Sequence, residues 1–253
     1  MSRLVCPVNV SEGRSRLVIE ALAAAAGDDL LDLHVDADHH RSVLTVAGED
    51  APRRVAAVAV ARIDLRRHRG VHPRLGAVDV VPFVPVGANP VDEAVAARDR
   101  YAAWSPVPCL RFGAGGPTLP ELRRAARATV AAHPTAGITA AGARLPLVAY
   151  NVWLADESLR TARGIAAAVR GPAVRALGLA VGGGVQVSMN LVDPLAVGPA
   201  DAYDAVAALA AVGRAELVGL VPGAVLERVP PERWEQLDLS PDRTVERRLD
   251  RSG

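Results

Sequence analysis

The sequence predicts an α/β protein of two lobes. Short β-prone runs alternate with amphipathic helical stretches along the whole chain. Two of the runs, 30–35 and 42–47, are joined by a polar turn too short for a crossover, which excludes a regular Rossmann arrangement. The pattern changes near His133, so the expected lobes are 1–132 and 133–253.

Taken in order, 4–10 is apolar and β-prone, and Ser11-Glu12-Gly13 leads into a helix over 14–26. Strands follow at 30–35 and 42–47. The stretch 51–67 reads as a helix, with Val55, Val58, Ala59 and Arg62 at helical spacing. The Val-rich run 76–86 contains two prolines, so it reads as a strand with an edge or a bulge. Asn89-Pro90 starts a helix to about 103. A short strand at 108–112, a Gly-rich turn at 113–117 and a helix over 119–132 complete the first lobe. In the second, 145–154 and 177–192 read as strands on either side of a helix at 157–169, the latter strand with a glycine bend. A helix at 199–213, a strand at 216–220 and a charged helical end follow.

The 253 residues suffice for one large domain or two small ones with ample core. Half are apolar but only 3% aromatic, so Ala, Val and Leu build the core. The formal net charge of +1 is too balanced for coating a polyanion, and no nucleic-acid partner is expected. All 29 basic residues are arginine. Without lysine there is no Schiff base, no pyridoxal anchor and no P-loop lysine. Cys6 and Cys109 form no CxxC, so a structural zinc site or an iron–sulfur cluster cannot be built from them. No basic start with a long apolar run follows Met1, and the longest apolar stretch is broken by glycines and polar residues. A cytoplasmic protein without a membrane partner is expected.

Five of the six histidines fall between residues 34 and 72: His34, His39, His40, His68 and His72; the sixth is His133. Each sits at or beside a turn. A loop imidazole flanked by Arg and Asp can serve as a general base, and it can equally be a surface or packing residue. His34, Asp36, Asp38 and His40, with His68 or His72, carry donor atoms for a divalent ion. Gly70 and Pro73 keep His68 and His72 from sharing one helix face, and no metal is expected. Gly113-Ala114-Gly115-Gly116 lacks the context of a dinucleotide site, and no Gly-x-Ser-x-Gly elbow occurs.

One long stretch is more specific. His68-x-x-x-His72-Pro73-Arg74-x-Gly76-Ala77-x-Asp79-Val80-x-Pro82-Phe83-x-Pro85 resembles the signature of the glutamate formimidoyltransferase (formiminotransferase) family. Pro7-Val-Asn9-Val-Ser11-Glu12-Gly13-Arg14 resembles the family's N-terminal motif, and Asp38-His39-His40-Arg41-Ser42-Val43 the bacterial Asp-His-Asn-Arg-Ser-Val. His133-Pro-Thr135-Ala136-Gly137-Ile-Thr139 and the following residues to Arg144 resemble the start of the second lobe. Asn151, Asn190 and the run from Glu216 to Pro222 lie in matching strands.

The resemblance covers nearly the whole chain. It implies an α/β (α+β type) fold of two subdomains, with mixed β-sheets, helices on the outside and a folate-binding cleft between them, in a homodimer. It implies transfer of a formimino group from N-formimino-L-glutamate to N5 of tetrahydrofolate, in histidine degradation. The general base matches His72. Substrate and folate contacts are expected at His40, Arg41, His68, Arg74, His133, Thr135, Ala136, Gly137, Arg144, Asn151 and Asn190. The arginines suit the glutamate carboxylates of both substrates. Tetrahydrofolate is the expected one-carbon acceptor, and no metal is implied.

The chain departs from the family in three places. Only 113–132 bridges a segment that is longer in other members, the motif asparagine before Arg41 is His40, and the glutamate before His72 in animal members is Val71. The stretch Thr244–Leu249 resembles the transferase domain's own end, so the fused cyclodeaminase domain of animal members is expected to be absent. The alternatives are a related one-carbon transferase with a changed donor or acceptor, a non-catalytic binder of folate or an acidic metabolite, and a metal-dependent hydrolase.

Overall fold

A computed structural model describes residues 4–70, 73–87 and 90–251. The chain divides into two units, one ending at Leu145 and the other starting at Pro146. The stretch 133–143, expected to open the second lobe, is thus part of the first.

The first unit is built on a six-stranded sheet. Its strands are β1 (Leu4–Val10), β2 (Leu30–Asp36), β3 (Arg41–Ala47), β4 (Val78–Pro85), β5 (Cys109–Gly113) and β6 (Thr139–Ala143), in the order β2-β3-β1-β4-β6-β5. β1 runs antiparallel to β3 and β4, while β4, β6 and β5 run parallel, so the sheet is mixed. Helices α1 (Arg16–Ala26), α2 (Asp50–Arg62) and α3 (Val91–Trp104) cover one face through Leu22, Val55, Ala59, Ala97 and Tyr101. Helix α4 (Leu119–Thr129) covers part of the other face. Its Leu122 and Ala126, one turn apart, pack on Val80, Phe112 and Ile138.

β4 is buried along its whole length, as a strand with neighbours on both sides and layers on both faces must be. It is not an edge strand, despite its prolines. The register Val5↔Val84 and Asn9↔Val80 sets Pro7 opposite Pro82, so the two missing N–H groups fall at one point of the ladder. A bulge follows between Asn9 and Val10.

α2 stops five residues before the expected end. Asp64 accepts the Arg66 N–H (3.0 Å), a local bond that competes with helix, and Leu65 N–H goes to Thr135 O (2.8 Å) across the unit. β6 was not expected. Its sequence, Thr-Ala-Ala-Gly-Ala, is poor in β-formers. It is a strand because its small side chains fit between packed layers; a Cβ on Gly142 would lie 2.2 Å from the Phe112 ring.

The second unit is an antiparallel sheet, β7 (Val148–Leu154), β8 (Val174–Val181), β9 (Gly184–Leu191) and β10 (Val212–Val218), in the order β10-β7-β9-β8. Helices α5 (Leu159–Ala168), α6 (Pro199–Ala207) and α7 (Gly223–Leu226) pack on one face, over Tyr150, Val152, Val187, Met189 and Leu217. A short helix, α8 (Val245–Arg251), ends the described chain. The run 177–192 is two strands and not one, because Gly182 and Gly183, with φ of 56° and 81°, make a two-residue hairpin turn. Among the described residues no helix is long and apolar enough to cross a membrane.

Candidate functional site

The pairings Val10↔Ser42, Val10↔Val78 and Val80↔Ala140 bring four strand ends together at one end of the first sheet. These are the C-terminus of β1 and the N-termini of β3, β4 and β6. The connecting segments 11–15, 37–41, 63–70, 73–77 and 133–138 meet there.

The loop before β4 is laced to the turn before β6. Leu65 N–H donates to Thr135 O, Ala77 N–H to Ala136 O (2.8 Å) and Ile138 N–H to Leu75 O (3.0 Å). The turn closes on itself through His133 and Gly137, whose N–H groups donate to each other's carbonyls at 2.9 and 3.0 Å. His133 Nδ1 accepts the Ala136 N–H at 3.1 Å, so Nε2 carries the ring proton. Gly137 has φ of 75°, and a Cβ there would lie 2.2 Å from Leu75 O. Only glycine fits.

Asp79 sits at the start of β4 and is fully buried. Its Oδ1 accepts the Leu75 N–H (2.7 Å), and its Oδ2 accepts from Arg41 Nη1 (3.0 Å) and Arg123 Nη2 (2.6 Å). Arg41 also donates to Asn9 Oδ1 through Nε and Nη2. Arg41 therefore points inward to Asp79 and Asn9, where a carboxylate-gripping role had been expected. Arg74 donates from Nη2 to His68 O at 3.2 Å. Two guanidiniums, Arg41 and Arg123, thus share the Asp79 carboxylate.

Glu12, just past β1, binds a turn and a histidine together. Its Oε1 accepts the N–H groups of Gly13, Arg14 and Ser15 at 2.7–2.9 Å and faces His40 Nε2 at 3.0 Å. Burial alone would raise its carboxyl, but the Ser15 and Arg14 amides and His40 outweigh burial and hold it below the usual range. His40 Nδ1 faces Arg69 O (2.9 Å), and its ring stacks on that of His68, centroids 4.0 Å apart. Asp36 accepts the N–H groups of Asp38 and His39 and bonds the His39 ring. Asp36 and His40, part of the set weighed for a metal, are thus engaged with His39 and Glu12.

Of the expected site residues, His40, Arg41, His68, Arg74, His133, Thr135, Ala136 and Gly137 gather at this end. His72 lies outside the described residues; Gly70 and Pro73, its described neighbours, belong to the same loop. Arg144 follows β6 at the opposite end of the sheet, its N–H on Phe83 O. Asn151 and Asn190 belong to the second unit. Both lie on the sheet face away from that unit's helices, Asn151 donating to Glu216 Oε2 (3.2 Å) and Asn190 exposed. Glu12 and Asp79 lay inside the quoted motifs without being singled out. The signal was a charged residue set against an apolar strand. Arg123 gave none, being one arginine of several on α4.

Comparison with known proteins bears on the family. A family model described as formiminotransferase domain, N-terminal subdomain, matches residues 3–106. Glutamate formimidoyltransferase of Streptococcus pyogenes serotype M1 is 34% identical over 235 aligned positions, covering 76% of this chain and 79% of the relative. Glutamate formimidoyltransferase of Thermoplasma acidophilum is 29% identical over 305 positions, covering all of this chain and 99% of the relative. That alignment is longer than the chain, so the relative carries residues absent here. Formimidoyltransferase-cyclodeaminase of Sus scrofa is 35% identical over 60% of this chain, which spans only 35% of that relative. With His40, His68, His133, Arg41 and Arg74 gathered at one sheet end, and with this identity to the streptococcal enzyme, the chain belongs to the glutamate formimidoyltransferase family of transferases.

Proposed function

We propose that this chain transfers the formimino group of N-formimino-L-glutamate to N5 of tetrahydrofolate, with His72 as general base. The observation that carries the reading is the convergence of segments 11–15, 37–41, 63–70, 73–77 and 133–138 at one sheet end in a member of this family. The N5 lone pair attacks the formimino carbon and forms the new C–N bond, and N5 loses its proton. The old C–N bond then breaks, and the departing glutamate nitrogen gains a proton. An imidazole near neutrality is suited to carry that proton from one nitrogen to the other. Arg74, whose guanidinium donates one bond to His68 O, is the arginine suited to a substrate carboxylate. A role in histidine degradation and assembly as a homodimer follow from the family resemblance.

The test is a transfer assay: protein, tetrahydrofolate and N-formimino-L-glutamate, then acid, then the methenyl-tetrahydrofolate absorbance. His72→Ala should lower the rate roughly 100- to 10,000-fold while the protein stays folded. A variant as active as the wild type would remove His72 from the base role. A second reading, a changed donor or acceptor, is motivated by the residues this chain lacks against its Thermoplasma relative. Turnover with another one-carbon donor, and none with N-formimino-L-glutamate, would select it.

A further inference from the structure

His40 stands in the turn before β3 with φ of 52°, a left-handed backbone uncommon outside glycine and enriched in Asn, Asp and His. Both of its ring nitrogens face oxygen acceptors, Glu12 Oε1 and Arg69 O. The ring lies flat on His68, the planes 11° apart.

His68 is only 4% exposed. Its Nε2 lies 2.9 Å from His40 O, so Nε2 is the donor and Nδ1 keeps a bare lone pair. Nδ1 is buried, and among the described residues it has no hydrogen-bond partner. Burial pushes His68 toward its neutral form, and the charges of Arg74 and His40 push the same way, against the bond to His40 O and the charge of Glu12. A buried imidazole acceptor left open beside a cluster of substrate-type residues needs a donor to complete it.

We propose that His68 Nδ1 accepts a hydrogen bond from an N–H group of a bound substrate, and that Glu12 and His40 are positioning residues that fix the His68 ring for it. Glu12 holds the His40 ring, and His40 holds the His68 ring by stacking and through its carbonyl. The proposal rests on the formimino-transfer reading for the identity of the ligands. Two of them carry such N–H groups, the formimino group of the donor and the reduced pterin of tetrahydrofolate.

Imidazole nitrogen NMR of the full-length protein tests it, with His68 assigned by the signal lost in His68→Gln. At neutral pH His68 should show one bare nitrogen. N-formimino-L-glutamate and tetrahydrofolate, each added alone, separate the two sources: the one that moves the bare-nitrogen signal supplies the N–H. A doubly protonated His68 at the start, or a signal that neither ligand moves, overturns the proposal. Glu12→Gln keeps an oxygen for the three turn amides, and His40→Asn suits the left-handed backbone, so the two variants guard against a misfolded one. Each should abolish the His68 response and lower kcat by roughly tenfold, with KM little changed. A wild-type response and kcat in both overturns the positioning role. If transfer occurs but neither ligand moves the signal, this proposal fails and the reaction stands. If no transfer occurs but the signal still moves, the reaction fails and this proposal stands.

Discussion

Two carboxylates show how single residues hold the site. Asp36 is partly buried, which alone would raise its carboxyl, but the side-chain and backbone bonds from His39, its charge and the Asp38 amide bring it down to about 2. An unfolded chain titrates Asp near 3.9. The folded state therefore gains stability from ionised Asp36 above about pH 4, and loses it as pH falls from there through 2. Asp36→Asn should lower unfolding stability by about 1–2 kcal/mol at pH 6. The gap between variant and wild type should shrink in denaturant titrations taken from pH 4 downward; a gap independent of pH would mean that the charge is irrelevant. Asp79 is the stronger case, because it is fully buried and compensates Arg41 and Arg123 together. Asp79→Ala leaves both guanidiniums facing a void, and a loss of about 3–5 kcal/mol is expected in urea unfolding. A loss below about 1 kcal/mol would mean that solvent or other groups compensate the arginines.

At the scale of elements, periodicity located the strands and helices where one side of a segment is buried and the other wet. It failed where that contrast vanishes. β6 lies between two parallel neighbours and is buried throughout, so Thr-Ala-Ala-Gly-Ala carries no alternation to read. The hairpin of β8 and β9 was read as one strand because its turn consists of glycines inside an apolar run. The motif residues His40, His68, Arg74 and the 133–137 turn do meet at one sheet end. What no motif encodes is direction: Arg41 turns toward Asp79 and Asn9, and Arg144 stands at the far end of its strand. Such directions are decided by pairing across long sequence separations. The hairpin supplies a test at this scale. With both turn residues at positive φ, Gly182→Asn should be nearly neutral in thermal unfolding, while Gly182→Val should cost about 1–2 kcal/mol. Equal midpoints for the two variants would refute a turn of this kind.

At the scale of the molecule, each unit owns a core. In the second unit, Tyr150, Val152, Met189, Leu191 and Leu217 pack with α5, α6 and α7. The segment after Val229 closes that core from the C-terminal side. The Tyr150 hydroxyl donates to Leu237 O (2.9 Å), and the Leu217 N–H donates to Asp238 Oδ2 (2.8 Å). Arg243 donates to the carbonyls of Leu217 and Gly219, and Val221 bridges to Thr244. Leu237 and Leu239 fill the space beneath. A sheet with helices on one face and a closed core meets the requirement for independent folding. A fragment of residues 146–253 should therefore unfold cooperatively and give dispersed amide signals. Ending it at residue 230 removes Leu237 and Leu239, strips Tyr150 and Leu217 of their partners and leaves several buried groups unsatisfied, at about 1–3 kcal/mol each. That sum approaches the whole stability of a small domain, so the shorter fragment should show no cooperative transition. If both fragments melt alike, the C-terminal segment is an appendage; if neither folds, the second unit depends on the first.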